Sequence, residues 1–368
     1  MPMQYVPLGK SGLKVSKLIL GMSMFGDPRF MPFVLGEKEG YQLVQAAYEH
    51  GIQTFDTADA YSSGLSERIL GNAIKKLNLP RGELVLMTKL GLPMFPLEDP
   101  DAQKKRNTPE KFGIINQHGT SRKVRRIPVI VTARSVLTNR AESIFSTPSK
   151  GPWSGYRSIT LTSFTVSDKP SHRFDANTPI EETMHALHDV VKAGWVRYLA
   201  MSSCWAYQFH AMQNYALANG LTPFISMQNH YNLLYREEER EMLPTLRLFG
   251  AGSTPWSPLA KGLLARPFDA EAGSLRSQTD HGLLMYRSDA TPVIVSRLEE
   301  IAKRRGASMA QVSLAWLMSR EGVTAPIIGP NSVAKLEDLL GSLDVILTEE
   351  EVRYLEEPYA PMGIAGHT

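Results

Sequence analysis

Cysteine is nearly absent from this chain: Cys204 is the only one in 368 residues, so no internal disulfide can form. No apolar run is long enough to cross a bilayer. The opening Met1-Pro2-Met3-Gln4-Tyr5 lacks the basic and apolar regions of a secretory leader. A cytosolic location is therefore expected, with no membrane partner. A net charge of +3 is too small to argue for nucleic acid. His118, His185, His210 and His230 show no metal-ligand spacing with cysteine or carboxylates, so they are read as structural or surface residues and no metal is expected. Also missing is a strand-linked Gly-x-Gly-x-x-Gly, the fingerprint of a doubly wound dinucleotide fold.

What is present suits one large core, with 43% hydrophobic and 21% charged residues. An α/β barrel commonly fills this length as a single domain, here 1–368. Apolar strand candidates lie at 18–20, 54–56, 84–88, 196–201, 224–227, 251–255 and 325–328. Helical spacing marks 38–50, 66–77, 179–193, 206–219, 236–248 and 333–340, and again 292–305 and 309–318 between the last two strands. A hairpin turning at Lys10-Ser11-Gly12 would cap the barrel floor. This alternation predicts a (β/α)8 barrel but supplies seven strands. The eighth should fall between Lys89 and Val196.

In a parallel barrel, chemistry collects at the C-terminal ends of the strands. Phe55-Asp56-Thr57-Ala58-Asp59-Ala60-Tyr61 and Val85-Leu86-Met87-Thr88-Lys89 place an acid, a phenol and an ammonium there. A lysine closing a strand needs a partner if it is buried, and Asp56 is the natural one. The charge beside Tyr61 would lower the phenol's pKa towards working pH. Singly, each residue has a plainer reading: Asp56 as a helix cap, Tyr61 as a half-buried aromatic, Lys89 as a surface charge.

Together and in this order they resemble the aldo-keto reductase family. Further matching segments are Leu20-Gly21-Met22, Gly64-Leu65-Ser66-Glu67, Gly194-Trp195-Val196-Arg197, Met201-Ser202-Ser203, Met227-Gln228-Asn229-His230-Tyr231-Asn232, Trp256-Ser257-Pro258-Leu259 and Ile327-Ile328-Gly329. The nearest likeness is to the fungal branch around the pyridoxal and aryl-alcohol reductases and the potassium-channel beta subunits. The resemblance implies NADPH-dependent reduction of an aldehyde or ketone. Asp56, Tyr61, Lys89 and His172 would be catalytic, although His172 would be a plain loop residue if nothing aims it. Gly21 and Met22 would lie on the cofactor, Ser202 and Gln228 would hold its carboxamide, and Trp256 would stack on its nicotinamide. Ser257 and Leu259 would follow the pyrophosphate. Gly329, Ser332, Lys335 and Asp338 would meet the adenosine end, where the amine of Lys335 favours a 2′-phosphate. The family often has Glu-Asn where this chain has Asp338-Leu339, so an adenine contact would be weaker. Met24, Arg173, Trp205 and the loops 91–118 and 265–286 would choose the substrate, an aromatic or other small aldehyde such as pyridoxal.

Residues 124–171 break the resemblance, for relatives would have a helix and then a strand like Asp-Tyr-Ile-Asp-Val-Leu ending at a His. Instead the chain is rich in Ser and Thr from 143 to 171, with an apolar alternation at 159–166 that forms a strand by propensity alone. Little apolar surface makes this an insert expected to be poorly ordered, in which 160–166 would at best replace the fourth strand. Read from the third base of each codon, the DNA for 142–165 can spell the missing helix and strand, Asp-Tyr-Ile-Asp-Val-Leu-His included. A codon for Val124 begins with GT, the usual opening of an intron. A retained intron followed by an out-of-frame exon is the resulting hypothesis. Two other functional classes follow: a channel-beta-like regulatory subunit that binds NADPH, and a catalytically impaired product of a mis-spliced gene.

Overall fold

The structure, a computed structural model, describes residues 2–89, 99, 101, the backbone of 159–162, 174–176, 178–269 and 279–367. Strands β1 (Tyr5–Pro7) and β2 (Lys14–Ser16) form the antiparallel N-terminal hairpin. The barrel strands follow as β3 (Ile19–Gly21), β4 (Thr54–Asp56), β5 (Val85–Thr88), β6 (Ile159–Thr162), β7 (Tyr198–Ser202), β8 (Phe224–Gln228), β9 (Gly252–Ser253) and β10 (Ile327–Ile328). All eight are parallel, in the order β10-β3-β4-β5-β6-β7-β8-β9. The ends of this order meet: Ser253 bridges Val323, and the N–H of Ile327 donates to the carbonyl of Pro255 at 2.8 Å. The sheet is thus a closed (β/α)8 barrel with no edge left to pair.

The eighth strand falls where it was expected, between Lys89 and Val196, but begins one residue before the 160–166 stretch. Ile159–Thr162 sits between β5 and β7, with Met87 opposite Thr160 on one side and Leu161 opposite Leu199 on the other. Two strands with unpaired backbone groups leave one slot, and the β-prone 159–162 fills it. The rest of the 124–171 insert lies outside the described residues.

Helices cover the barrel where the apolar spacing put them: α1 (Glu37–Glu49), α2 (Leu65–Lys76), α3 (Ile180–Lys192) and α4 (Ala206–Ala218). Helix α1 shows the logic, burying Leu43, Val44 and Ala47 on one stripe while Glu37 and Glu39 favour its N-terminal dipole. The predicted helix 236–248 is shorter: a 3-10 turn, Glu237–Glu239, precedes α5 (Met242–Phe249). Pro244 falls in the first turn of α5, where its missing N–H costs nothing, and so sets where the helix can begin. Then come α6 (Ala290–Arg305), α7 (Met309–Met318), α8 (Val333–Leu340) and α9 (Glu349–Glu356). The hairpin closes the barrel floor as expected. Leu8, Val15, Ile19, Val85, Met87, Ala325 and Ile327 form one buried cluster, and the N–H of Lys10 donates to the carbonyl of Gly250. Among the described residues, no helix is long and apolar enough to cross a membrane.

Candidate active site

The chemistry begins where β4 and β5 end. Asp56 closes β4 opposite Met87, and the N–H of Asp59 donates to the carbonyl of Lys89, so the two strand exits run together. Lys89 is 1% exposed and Asp56 2%. The Lys89 ammonium meets Asp56 Oδ2 at 2.6 Å and donates to the Thr57 carbonyl at 2.8 Å. Gln228, at the end of β8, donates to the other carboxylate oxygen at 2.9 Å. Tyr61 stands over the pair, its ring centroid 5.0 Å from Lys89 Nζ. Burial opposes the Lys89 charge, but the Asp56 carboxylate and the Tyr61 phenol outweigh it and hold the ammonium's pKa above its ordinary value.

A cavity of about 1140 Å³ opens above these groups. Gly21, Asp56, Tyr61, Ser202, Gln228, Trp256, Ser257 and Leu259 line it. Gly329, Lys335 and Asp338 belong to the same lining. Three candidates sit differently. The Met22 side chain is buried in the core away from the cavity wall, and its N–H is committed to the Asp56 carbonyl. Ser332 caps α8, accepting from the N–H of Lys335, and is not part of the lining. Trp205 begins α4, with its ring edge-on to His367. Asp338 lines the cavity but already accepts from Ser308 Oγ at 3.0 Å and Gln311 Nε2 at 2.9 Å. Met24 is on the wall. His172, Arg173 and His118 lie outside the described residues, as does the loop 91–118 apart from Asp99 and Asp101.

Backbone strain gathers around this cavity. Among the described residues, seven non-glycines have positive φ, and six of them, Ser62, Ser63, Ser203, Ser257, Ala260 and Lys261, belong to loops at these strand ends. Strain of this sort is held where surrounding contacts over-determine a functional loop.

A profile of the Aldo/keto reductase family matches residues 17–123 and 170–360. The chain belongs to the aldo/keto reductase family. It is thus an oxidoreductase of the carbonyl-reducing kind. The profile passes over 124–169, where the resemblance breaks. An aldo-keto reductase of Fusarium vanettenii is 42% identical, covering 99% of this chain and 93% of that protein. The versiconal hemiacetal acetate reductase of Aspergillus parasiticus is 41% identical over 98% of both chains. A Schizosaccharomyces pombe protein bearing the name of an aryl-alcohol dehydrogenase is 39% identical over 99% of this chain and 98% of its own.

Around the cavity of this aldo/keto reductase the side chains also make contacts that sequence reasoning did not foresee. Glu67 accepts from Thr88 Oγ1 at 2.5 Å, directly beside Lys89 in sequence. Burial pushes its carboxyl up to about 7, against the Thr88 bond and the Lys89 charge, which pull it down. Strand alternation was the available signal, since neighbours on a strand face opposite ways and Thr88 must face a helix if Lys89 faces the cavity. Ser203 accepts the indole N–H of Trp256 at 3.0 Å. Phe30, Met31 and Phe33, on the loop after β3, add apolar surface to the cavity wall. Lys261 and Asp280 form a half-buried ion pair at 2.8 Å on the loops beyond β9.

Proposed function

We propose that this protein reduces an aromatic or other small aldehyde or ketone to its alcohol with NADPH, Tyr61 being the proton donor. One observation carries the reading: a buried Lys89–Asp56 pair beside Tyr61, at a cavity that reaches a lysine at the start of a helix.

The residues present fit the cofactor. Polar groups on the lining, Ser202 and Gln228, suit the carboxamide, with Trp256 as a flat wall for the nicotinamide. Ser257 and Leu259, also on the lining, would follow the pyrophosphate. Lys335 bonds Asn331 Oδ1 at 2.7 Å and offers its remaining N–H groups to a 2′-phosphate, which favours NADPH over NADH. With its carboxylate already bonded by Ser308 and Gln311, Asp338 has less to offer an adenine edge. When bound, NADPH supplies the hydride. Everything else falls to the chain. Tyr61 holds a proton where a carbonyl oxygen would sit and releases it as charge develops there. Lys89 favours the negative charge left on the phenol oxygen, and Asp56 keeps the ammonium in place. His172 would help orient the carbonyl. Met24, Phe30, Met31 and Phe33 give the mouth an apolar and aromatic lining, which suits an aromatic aldehyde.

A fluorescence titration with NADPH and NADH, followed by turnover with an aromatic aldehyde and with pyridoxal, tests this. Tighter binding of NADPH and its consumption by the aldehyde are expected. Binding with no turnover of any aldehyde would favour a regulatory subunit of the channel-beta kind, and absence of binding would sink the proposal.

A further inference from the structure

We infer that His230 is a positioning residue for the nicotinamide end of the cofactor: it backs the indole of Trp256 and sets the plane of that ring. This rests on the reading of Trp256 as the wall for the nicotinamide.

The backbone brings the two together. Beyond the last residues of β8 and β9 the ladder continues, with His230 bridged to Trp256 and the N–H of Trp256 donating to the Asn229 carbonyl at 2.9 Å. The side chains consequently leave in register. The imidazole lies 4.2 Å from the indole, centroid to centroid, with 12° between the planes. On its other face Tyr235 lies 4.1 Å away at 13°. Three flat rings thus form one stack, Tyr235, His230, Trp256, ending at the cavity that Trp256 lines. With one face of the half-buried indole covered by His230, the side open to the cavity is the opposite one.

Rotation of the imidazole in its own plane is restrained too. His230 Nε2 and the hydroxyl of Tyr286 share a 2.6 Å hydrogen bond, and Asn232 Nδ2 lies 3.3 Å from the same nitrogen while donating to the Ser257 carbonyl at 2.9 Å. The indole is held at its edge by Ser203 Oγ and on its face by His230. Filling the volume alone would need only an apolar side chain. A flat ring between two flat rings, with a hydrogen bond fixing its azimuth, also orients the outermost member of the stack. A ring stacked on that member must adopt its plane, so a loss of order at His230 is felt at the nicotinamide and not at the adenosine end.

The test compares NADPH with 2′-phospho-ADP-ribose, which keeps the adenosine end and lacks the nicotinamide, in binding titrations on the full chain. His230→Leu is expected to weaken NADPH by roughly threefold to tenfold, the worth of one aromatic pair, and to leave the fragment within about twofold. His230→Phe, which keeps the flat ring, should restore NADPH affinity to within about twofold of wild type. Tyr286→Phe removes one oxygen and should give a smaller loss, again confined to NADPH. Equal weakening of both ligands by His230→Leu, or no weakening of NADPH, overturns the inference. Should His230→Leu fail to fold, Tyr286→Phe decides, and no selective loss there overturns it. Trp256→Leu separates the two readings. If it leaves NADPH affinity intact, the assignment of Trp256 falls and this inference with it. If Trp256→Leu is selective for NADPH while the His230 and Tyr286 variants are not, only the role of His230 falls.

Discussion

Removing the Tyr61 hydroxyl leaves the ring, the Lys89–Asp56 pair and the cavity wall in place. Tyr61→Phe should therefore abolish carbonyl reduction and leave NADPH affinity nearly unchanged; retained turnover would show that the proton comes from elsewhere. Lys89→Met should also stop reduction, at a cost to the fold, because Asp56 would stay buried with its ammonium gone. Stranding one partner of a buried pair costs about 3–5 kcal/mol, partly relieved here by the Gln228 amide. A denaturant melt that shows no loss would mean the pair is not buried as described. Glu67 adds a pH dependence of unusual sign. A carboxyl in the unfolded chain titrates near 4.5, whereas burial holds this one up to about 7. Between those values the unfolded chain releases a proton that the folded one keeps, so folding stability falls as pH rises, by at most about 1.4 kcal/mol per unit. Above that window the contribution is constant. Glu67→Gln should flatten stability against pH across the same window, and equal slopes in the two proteins would refute the assignment.

The loops around the site are held by contact as much as by their own residues. The loop after β3 touches the loop after β4 at Gly26, where an added Cβ would come within 2.2 Å of Ser62 Cβ. Ser62 is itself left-handed at φ 46° and adjoins Tyr61. Gly26→Ala must push Ser62 aside, with an expected loss of about 1–3 kcal/mol in stability and a drop in turnover through the displaced phenol. An unchanged melting temperature together with unchanged turnover would mean that Ser62 gives way freely. The helices show where local signals end: α7 and α9 begin at capping boxes visible in the sequence, Ser308 with Gln311 and Thr348 with Glu351. Upstream of α5 the chain is instead fastened from afar, Glu237 accepting from the Tyr359 hydroxyl and the Met362 N–H.

Across the molecule the break in the family match at 124–169 contains the segment 142–165 whose codons can spell the missing helix and strand. We propose that 124–171 is a retained intron joined to an out-of-frame exon. Replacing it by the in-frame helix and strand should raise both the melting temperature and turnover, because it returns core contacts and re-aims His172. If the chain as it stands melts no lower and turns over no more slowly, the segment is a structural variation of its own. A spliced message that still encodes these residues would tell equally against the proposal.

The alternation of strand and helix was legible from apolar spacing, because burial of one face imposes a period on the sequence whatever the fold around it. The meeting of Asp56, Tyr61 and Lys89 was legible too, since a strand end fixes where the next residue emerges. The contacts of Glu67, Ser203 and His230 were not, because each depends on a partner from a different strand or loop: Thr88, Trp256, and the pair Tyr235 and Tyr286. Residues 159–162 make the distinction sharpest. Propensity marked them as able to form a strand, and only the closed barrel decided that they would, since β5 and β7 leave backbone N–H and C=O groups that a strand between them must satisfy.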